Sequence, residues 1–243
     1  MKNYSSLASI RAQIAYHMAI ESSNPERHSS SPLTNDDPAA PCHHCVTQEK
    51  TSGVDSVYVG FLDTAVRWSN GFDVTFIIIR TSFPSHINVD YVECCLLFAV
   101  AHWHGTGVSI RQARPGEKPT FVVAYQDMPA VDRDIRTLAS AFFPSSAPQD
   151  RVLYVYGRCF WPRNVMFLTN VLSHEIGHVL GLRHEFLEDQ RSMLIGRPNP
   201  SSVMNYHKNL SKMVVNLEDI EGAQEFYRLQ GRVGDWWIET VRP

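Results

Sequence analysis

No stretch of this chain approaches the roughly 20 consecutive apolar residues that a membrane-spanning helix needs. The longest apolar run, Val92 to Trp103, is broken by Glu93 and His102, so a soluble protein with no membrane partner is expected. Basic charge is not in excess either. The 22 Lys and Arg stand against 25 Asp and Glu, for a net charge of −3, and nothing in that balance favours nucleic acid or an anionic surface. The first twenty residues lack the uninterrupted apolar core of a secretory signal, because Arg11, Gln13 and His17 interrupt it. Cysteine supplies no disulfide framework: Cys42, Cys45, Cys94, Cys95 and Cys159 are odd in number, in a chain too long to depend on such bonds. The compartment stays open on these grounds.

What is present suits one well-buried domain with an arm: 243 residues, 44% hydrophobic and 19% charged. From Glu21 to about Gly53 the chain is rich in Ser, Pro, Asn, Asp and Thr, and its short apolar intervals cannot offset the entropy of ordering. Residues 1–53 therefore read as a flexible or propeptide-like arm, 54–232 as the folded domain, and 233–243 as a tail. Within the domain, VYVGFLDTAVRW opens as a short strand or helix, and DVTFIIIR (Asp73 to Arg80) is a β-branched and aromatic run fit for a buried strand. Val92, Leu96, Ala99, Val100 and Trp103 recur at helical steps between Asn88 and His104, with Gly105 as the stop. VSIRQA, TFVVAYQ and RVLYVYG read as further strands. A helix follows from Thr169 or Asn170, as N-cap, to Gly181, and another from Asn216 to about Leu229. Strands first and helices interleaved and late make an α+β domain, a twisted mixed sheet with two long helices and a C-terminal one.

The segment His174-Glu175-Ile176-Gly177-His178 satisfies H-E-x-x-H and continues to His184. Histidines at i and i+4 share one helical face, so both imidazoles reach one ion with Glu175 beside them. A single helix cannot offer a third ligand from the same side. Gly181 is read as the left-handed residue that turns the chain and lets His184 return to the metal. Three neutral imidazoles suit Zn²⁺ and leave a fourth position for a water, whose proton Glu175 is placed to accept and pass to a leaving amine.

HEIGHVLGLRH, followed by Ser202-Val203-Met204-Asn205-Tyr206, resembles the zinc-binding helix and Met-turn of the metzincin metalloproteases. The resemblance implies a zinc-dependent metalloendopeptidase with metal ligands His174, His178 and His184, catalytic Glu175, and Met204 as a hydrophobic floor under the histidines. LASAFFP, FLTNVLSHEIGHVLGL and LEDIEGAQEFY look like matrixins, whereas Glu185 after the third histidine and Tyr206 after the methionine look like astacins, in which such a tyrosine ligates zinc or stabilises the transition state. Matrixins usually carry a structural zinc and calcium sites whose His and Asp pattern is not found here. Their propeptide ligates zinc through a Pro-Arg-Cys-Gly cysteine, and this arm has Cys42-His43-His44-Cys45 instead. That cluster is open to three readings: a latency switch, a small separate metal site, or two thiols in a loose segment.

His102 and His104 carry no partner motif and are read as structural, Cys94 and Cys95 as small apolar residues on their helix, with a pairing to Cys159 open to a secreted protein. A closed, structural zinc would need a fourth protein ligand, for which Tyr206 is the candidate. The expected substrate is a protein or peptide, bound extended along an edge strand, for which Arg151 to Gly157 is chosen. A monomer is expected. Family resemblance implies secretion, in tension with the missing signal. The alternative function is a catalytically silent metzincin-fold module that binds protein.

Overall fold

The computed structural model describes residues 45, 47, 58–59, 63–128, 137–184 and 193–243. In chain order its strands are β1 (Tyr58–Val59), β2 (Thr64–Trp68), β3 (Asp73–Ile78), β4 (Ser109–Gln112), β5 (Phe121–Gln126), β6 (Ala139–Ser140), β7 (Val152–Tyr156), β8 (Leu182–Arg183), β9 (Met193–Leu194), β10 (Gly231–Val233) and β11 (Trp236–Val241). The helices are α1 (His86–His102), α2 (Leu168–Val179) and α3 (Leu217–Arg228).

The main sheet runs β4-β3-β5-β7-β6. Its first four strands are parallel, and β6 returns antiparallel to β7, with Ala139 opposite Val155 and Ser140 opposite Tyr154. Strand side chains alternate between faces, and here Val74 and Phe76, Phe121 and Val123, and Leu153 and Val155 turn inward and are buried. They join Val92, Leu96 and Ala99 of α1 and Val171, Leu172 and Ile176 of α2 in one core. Phe76, Phe121 and Phe142 pack through it as tilted pairs, with ring centroids 5.7 and 5.4 Å apart. Two small sheets complete the domain, β8-β1-β9 and β10-β11-β2. Among the described residues no helix is long and apolar enough to cross a membrane.

Several sequence expectations are corrected. The strand at 151–157 is not an edge: β7 lies between β5 and β6, and β6 is the outermost strand on that side among the described residues. Pairing decides edges, and a two-residue strand has too little pattern to announce itself. The segment 233–243, set apart as a tail, is built into the domain, because β11 pairs in parallel with β2 from Trp237 opposite Thr64 to Val241 opposite Trp68.

Helix α2 starts at Leu168, not after a Thr169 or Asn170 cap. A 3-10 turn, Val165–Phe167, leads into it, and the Leu168 N–H donates to the Val165 carbonyl, so a first orphan donor is satisfied by backbone rather than by a capping side chain. Asn170 instead donates to the Leu210 carbonyl at 2.8 Å. Cys159 is a free thiol that donates to the Leu138 carbonyl at 2.8 Å, so no disulfide to it forms. Apart from Cys45 and Thr47, the arm of residues 1–53 lies outside the described residues, Cys42, His43 and His44 included.

Candidate metal centre

Helix α2 brings His174 and His178 one turn apart on one face, with ring centroids 4.8 Å apart and Nε2 atoms 3.2 Å apart. Gly181 has φ +97°, and a Cβ there would lie 2.8 Å from the Val66 carbonyl oxygen, so both the left-handed turn and the close approach to β2 require glycine. The chain reverses through β8 and delivers His184, whose Nε2 lies 3.2 Å from that of His174 and 3.1 Å from that of His178. All three rings and Glu175 are fully buried.

The outer nitrogens settle the tautomers of two rings. His174 Nδ1 lies 2.7 Å from the Val203 carbonyl, and His178 Nδ1 lies 2.8 Å from the Leu182 carbonyl. A carbonyl only accepts, so each Nδ1 carries the proton and each Nε2 presents a lone pair inward. Lone pairs crowded together in a buried space repel unless a cation lies among them. Zn–N bonds of about 2.0–2.1 Å in a tetrahedron put nitrogens about 3.3–3.4 Å apart, so the observed triangle has the size that zinc requires.

A fourth donor completes the group. Cys45 Sγ lies 3.4 Å from His178 Nε2, against about 3.6 Å for a tetrahedral N–Zn–S edge, and the four ligand atoms all lie within 4.8 Å of one another. Of the open readings of the arm's cysteines, this geometry favours a thiol placed over the histidines, with Cys45 grouped with them as a candidate fourth donor and Tyr206 outside that group. Burial, and next the Glu175 carboxylate, push the Cys45 thiol well above its ordinary range. A divalent cation reverses that balance, since a coordinating thiol is deprotonated. Tyr206 packs its ring 4.8 Å from that of His184 and donates its hydroxyl to the Cys45 carbonyl at 2.9 Å. Glu175 Oε2 accepts from the Thr47 hydroxyl at 3.1 Å and lies 3.8 Å from Cys45 Sγ.

Below the histidines runs the turn Ser202 to Tyr206. Met204 is fully buried, and a Cβ on Gly177 would stand 2.3 Å from its sulfur. The glycine within H-E-x-x-H is thus needed for the methionine to pack against the helix. Asp219, in the first turn of α3, holds this turn from the other side: it accepts from the Ser202 hydroxyl and from the Val203 N–H at 3.1 Å. Its carboxylate also accepts the Asn216 N–H at 2.9 Å, closing a capping box. One backbone unit, Val203, therefore relays Asp219 to His174. Burial raises the Asp219 carboxyl above its usual range despite these donors.

Sequence reasoning missed Asp219, Thr47 and Trp68, whose indole N–H donates to the Val179 carbonyl at the end of α2 at 2.7 Å. The Asn216-x-x-Asp219 pattern was a readable signal for the first; for Thr47 there was none. His102 is structural, its Nδ1 lying 2.9 Å from the Ser173 hydroxyl, and His104 is exposed and outside the cluster.

A mixed sheet over helices, a helix bearing two of three converging imidazoles, and a methionine turn beneath them define a metzincin-type zinc protease. A family model described as matrixin matches residues 62–228, and the chain belongs to the matrixin family. No curated protein matches. Among solved structures, that of myroilysin is 10% identical over 68% of this chain and 96% of that one, with a TM-score of 0.46. Membership makes this chain a zinc-dependent metalloprotease of α+β metzincin fold, with protein or peptide as its substrate class.

Proposed function

We propose that the chain is a metalloendopeptidase in which His174, His178 and His184 hold the zinc and Glu175 is the general base. The observation that carries this reading is the convergence of the Nε2 atoms, 3.1 to 3.2 Å apart, with two rings locked by carbonyls on their outer side. Zinc, when held there, supplies a Lewis acid that polarises the scissile carbonyl and acidifies water. Glu175 takes the proton of the attacking water and hands it to the amide nitrogen as the C–N bond breaks. The substrate lies extended along β6, adding backbone hydrogen bonds to the strand that is outermost among the described residues.

In this reading the chain as described is latent. Cys45 stands in the position that water needs, and residues 1–53 act as a propeptide-like arm on a domain of residues 54–232 extended by β11. Opening the arm is the first requirement for hydrolysis.

The test compares the full chain with its Cys45→Ala form on a quenched fluorescent peptide library, with zinc counted and with a chelator as control. One zinc per chain, with cleavage by Cys45→Ala that disappears on adding Glu175→Gln or the chelator, is the expected result. Stoichiometric zinc with no cleavage by Cys45→Ala, either alone or combined with Thr47→Val, would overturn the reading in favour of a catalytically silent module that binds protein.

A further inference from the structure

Two residues beyond Cys45, Thr47 uses both capacities of its hydroxyl at once. It donates to Glu175 Oε2 at 3.1 Å and accepts from the Ala141 N–H at 2.8 Å. Neither partner is an ordinary surface group. Glu175 is the carboxylate that lies beside the metal centre, and it is fully buried.

Ala141 directly follows β6, and its backbone direction can be read from the strand. The Leu138 carbonyl is turned toward β7, since it accepts the Tyr156 N–H at 2.9 Å. Backbone groups alternate sides along a strand, so Ala139 and Ala141 direct theirs away from β7, toward the side where an extended peptide would add. Thr47 therefore occupies a donor that a substrate carbonyl needs.

We propose that Thr47 is a second latch of the arm, one that withholds the general base and the substrate-binding edge together, independently of the thiol over the histidines. The proposal rests on the reading of this site as catalytic and extends it. The arm is then held at three chemically different places: Cys45 Sγ beside His178 Nε2, the Cys45 carbonyl on the Tyr206 hydroxyl at 2.9 Å, and the Thr47 hydroxyl between Glu175 and Ala141. Each point blocks a different part of the work: the metal's open position, the tyrosine near His184, and the base with the edge strand. A thiol alone would leave the Ala141 N–H available to peptide and would meet Glu175 only through the 3.8 Å contact of its sulfur. With Thr47 in place, a peptide cannot begin to pair along β6 while the arm is closed, so substrate does not pry the arm off from that side.

The chemistry makes the latch separable from shape. Valine has nearly the outline of threonine but no hydroxyl, so Thr47→Val deletes both hydrogen bonds, the one to the buried Glu175 carboxylate and the one from the partly buried Ala141 N–H. Thr47→Ser keeps the hydroxyl and drops a methyl. Loss of a hydrogen bond to a charged group is worth a factor of about ten or more in an opening equilibrium.

The experiment measures the rate at which iodoacetamide alkylates Cys45 in the zinc-loaded full chain, followed cysteine by cysteine by mass spectrometry. Alkylation of Cys45 reports opening of the arm directly and needs no catalysis. Thr47→Val is expected to react about tenfold faster than the parent, with Thr47→Ser close to the parent. Equal rates for Thr47→Val and the parent, or Thr47→Ser as fast as Thr47→Val, would overturn the latch. Cleavage of peptides by Cys45→Ala, alone and combined with Thr47→Val, is run alongside and distinguishes a failed latch from a failed catalytic reading. If Cys45→Ala cleaves and Thr47→Val alkylates at the parent's rate, the latch is wrong and the catalytic reading stands. If the chain carrying both Cys45→Ala and Thr47→Val binds zinc and cleaves nothing, the catalytic reading is wrong, while the alkylation rates still report whether Thr47 holds the arm.

Discussion

Helices α1 and α2 pack against each other in the same core, yet they are held in opposite ways. Helix α1 carries its own beginning and end. The Ser85 hydroxyl accepts the Asn88 N–H at 3.1 Å, Gly105 follows with φ +84°, and one side remains in solvent, Phe98 being 50% exposed. Helix α2 has no side-chain cap at its start and is buried at every position but Asn170. Residues far along the chain hold its carbonyls: Trp103 Nε1 donates to Ser173 at 2.8 Å, Trp68 Nε1 to Val179 at 2.7 Å, and the Tyr227 hydroxyl to Leu180 at 3.0 Å. A helix that only closes a core can tolerate small shifts. One that carries two of three converging imidazoles cannot, because donors misplaced by half an ångström no longer share an ion.

Glu175→Gln should separate the two helices most sharply. In the opened Cys45→Ala chain, kcat/KM on a peptide is expected to fall by roughly 10²- to 10⁴-fold, with zinc content unchanged. No substitution confined to the exposed side of α1 should approach that. Activity surviving in Glu175→Gln would remove the chemical ground for treating α2 as special.

Gly177→Ala should come next, because its methyl would meet the Met204 sulfur at 2.3 Å. Overpacking of this kind costs about 1–3 kcal/mol, read as a lower urea midpoint. The displaced methionine should also weaken zinc retention against a chelator.

Trp68→Phe takes the indole donor from the buried end of α2 and should cost about 1–3 kcal/mol, the usual range for stranding a buried acceptor. It should loosen zinc as well, since the Val179 carbonyl lies between His178 and the turn to His184. Ser85→Ala, the smallest effect, should lower stability by about 1 kcal/mol through loss of a cap and leave zinc affinity where it was. Equal damage to zinc retention by Ser85→Ala and Trp68→Phe would show that both helices matter to the centre alike.

The same contrast explains what was legible. Helix α1 announced itself by apolar periodicity and a glycine stop, and α3 by Asn216 and its apolar stripe, because those signals are local. The buried strands β3, β5 and β7 were readable as β-branched and aromatic runs. The start of α2 was misread because its first turn is set by a preceding 3-10 turn rather than by a cap. The edge of the sheet was misplaced because an edge is a relation between strands. WWIETV was set aside because nothing within it says that β2 will lie alongside.

At the centre, the residues within one helix and its following turn could be read in advance. His174, Glu175 and His178 fall one helical turn apart whatever surrounds them, and Gly181 sends the chain back within three residues of His184, so short-range geometry alone groups these four. Cys45 and Thr47 meet Glu175 across 130 and 128 residues, and no spacing along the chain encodes such a meeting. The sequence by itself thus determined the helix of the candidate metal centre, its histidines and its acid, since these depend on local dihedrals and a fixed periodicity. Only the tertiary structure decided which thiol covers the histidines, which hydroxyl occupies the acid, and which strand edge lies beside them. Those contacts exist because separate segments bury against one another, a condition of the whole folded chain.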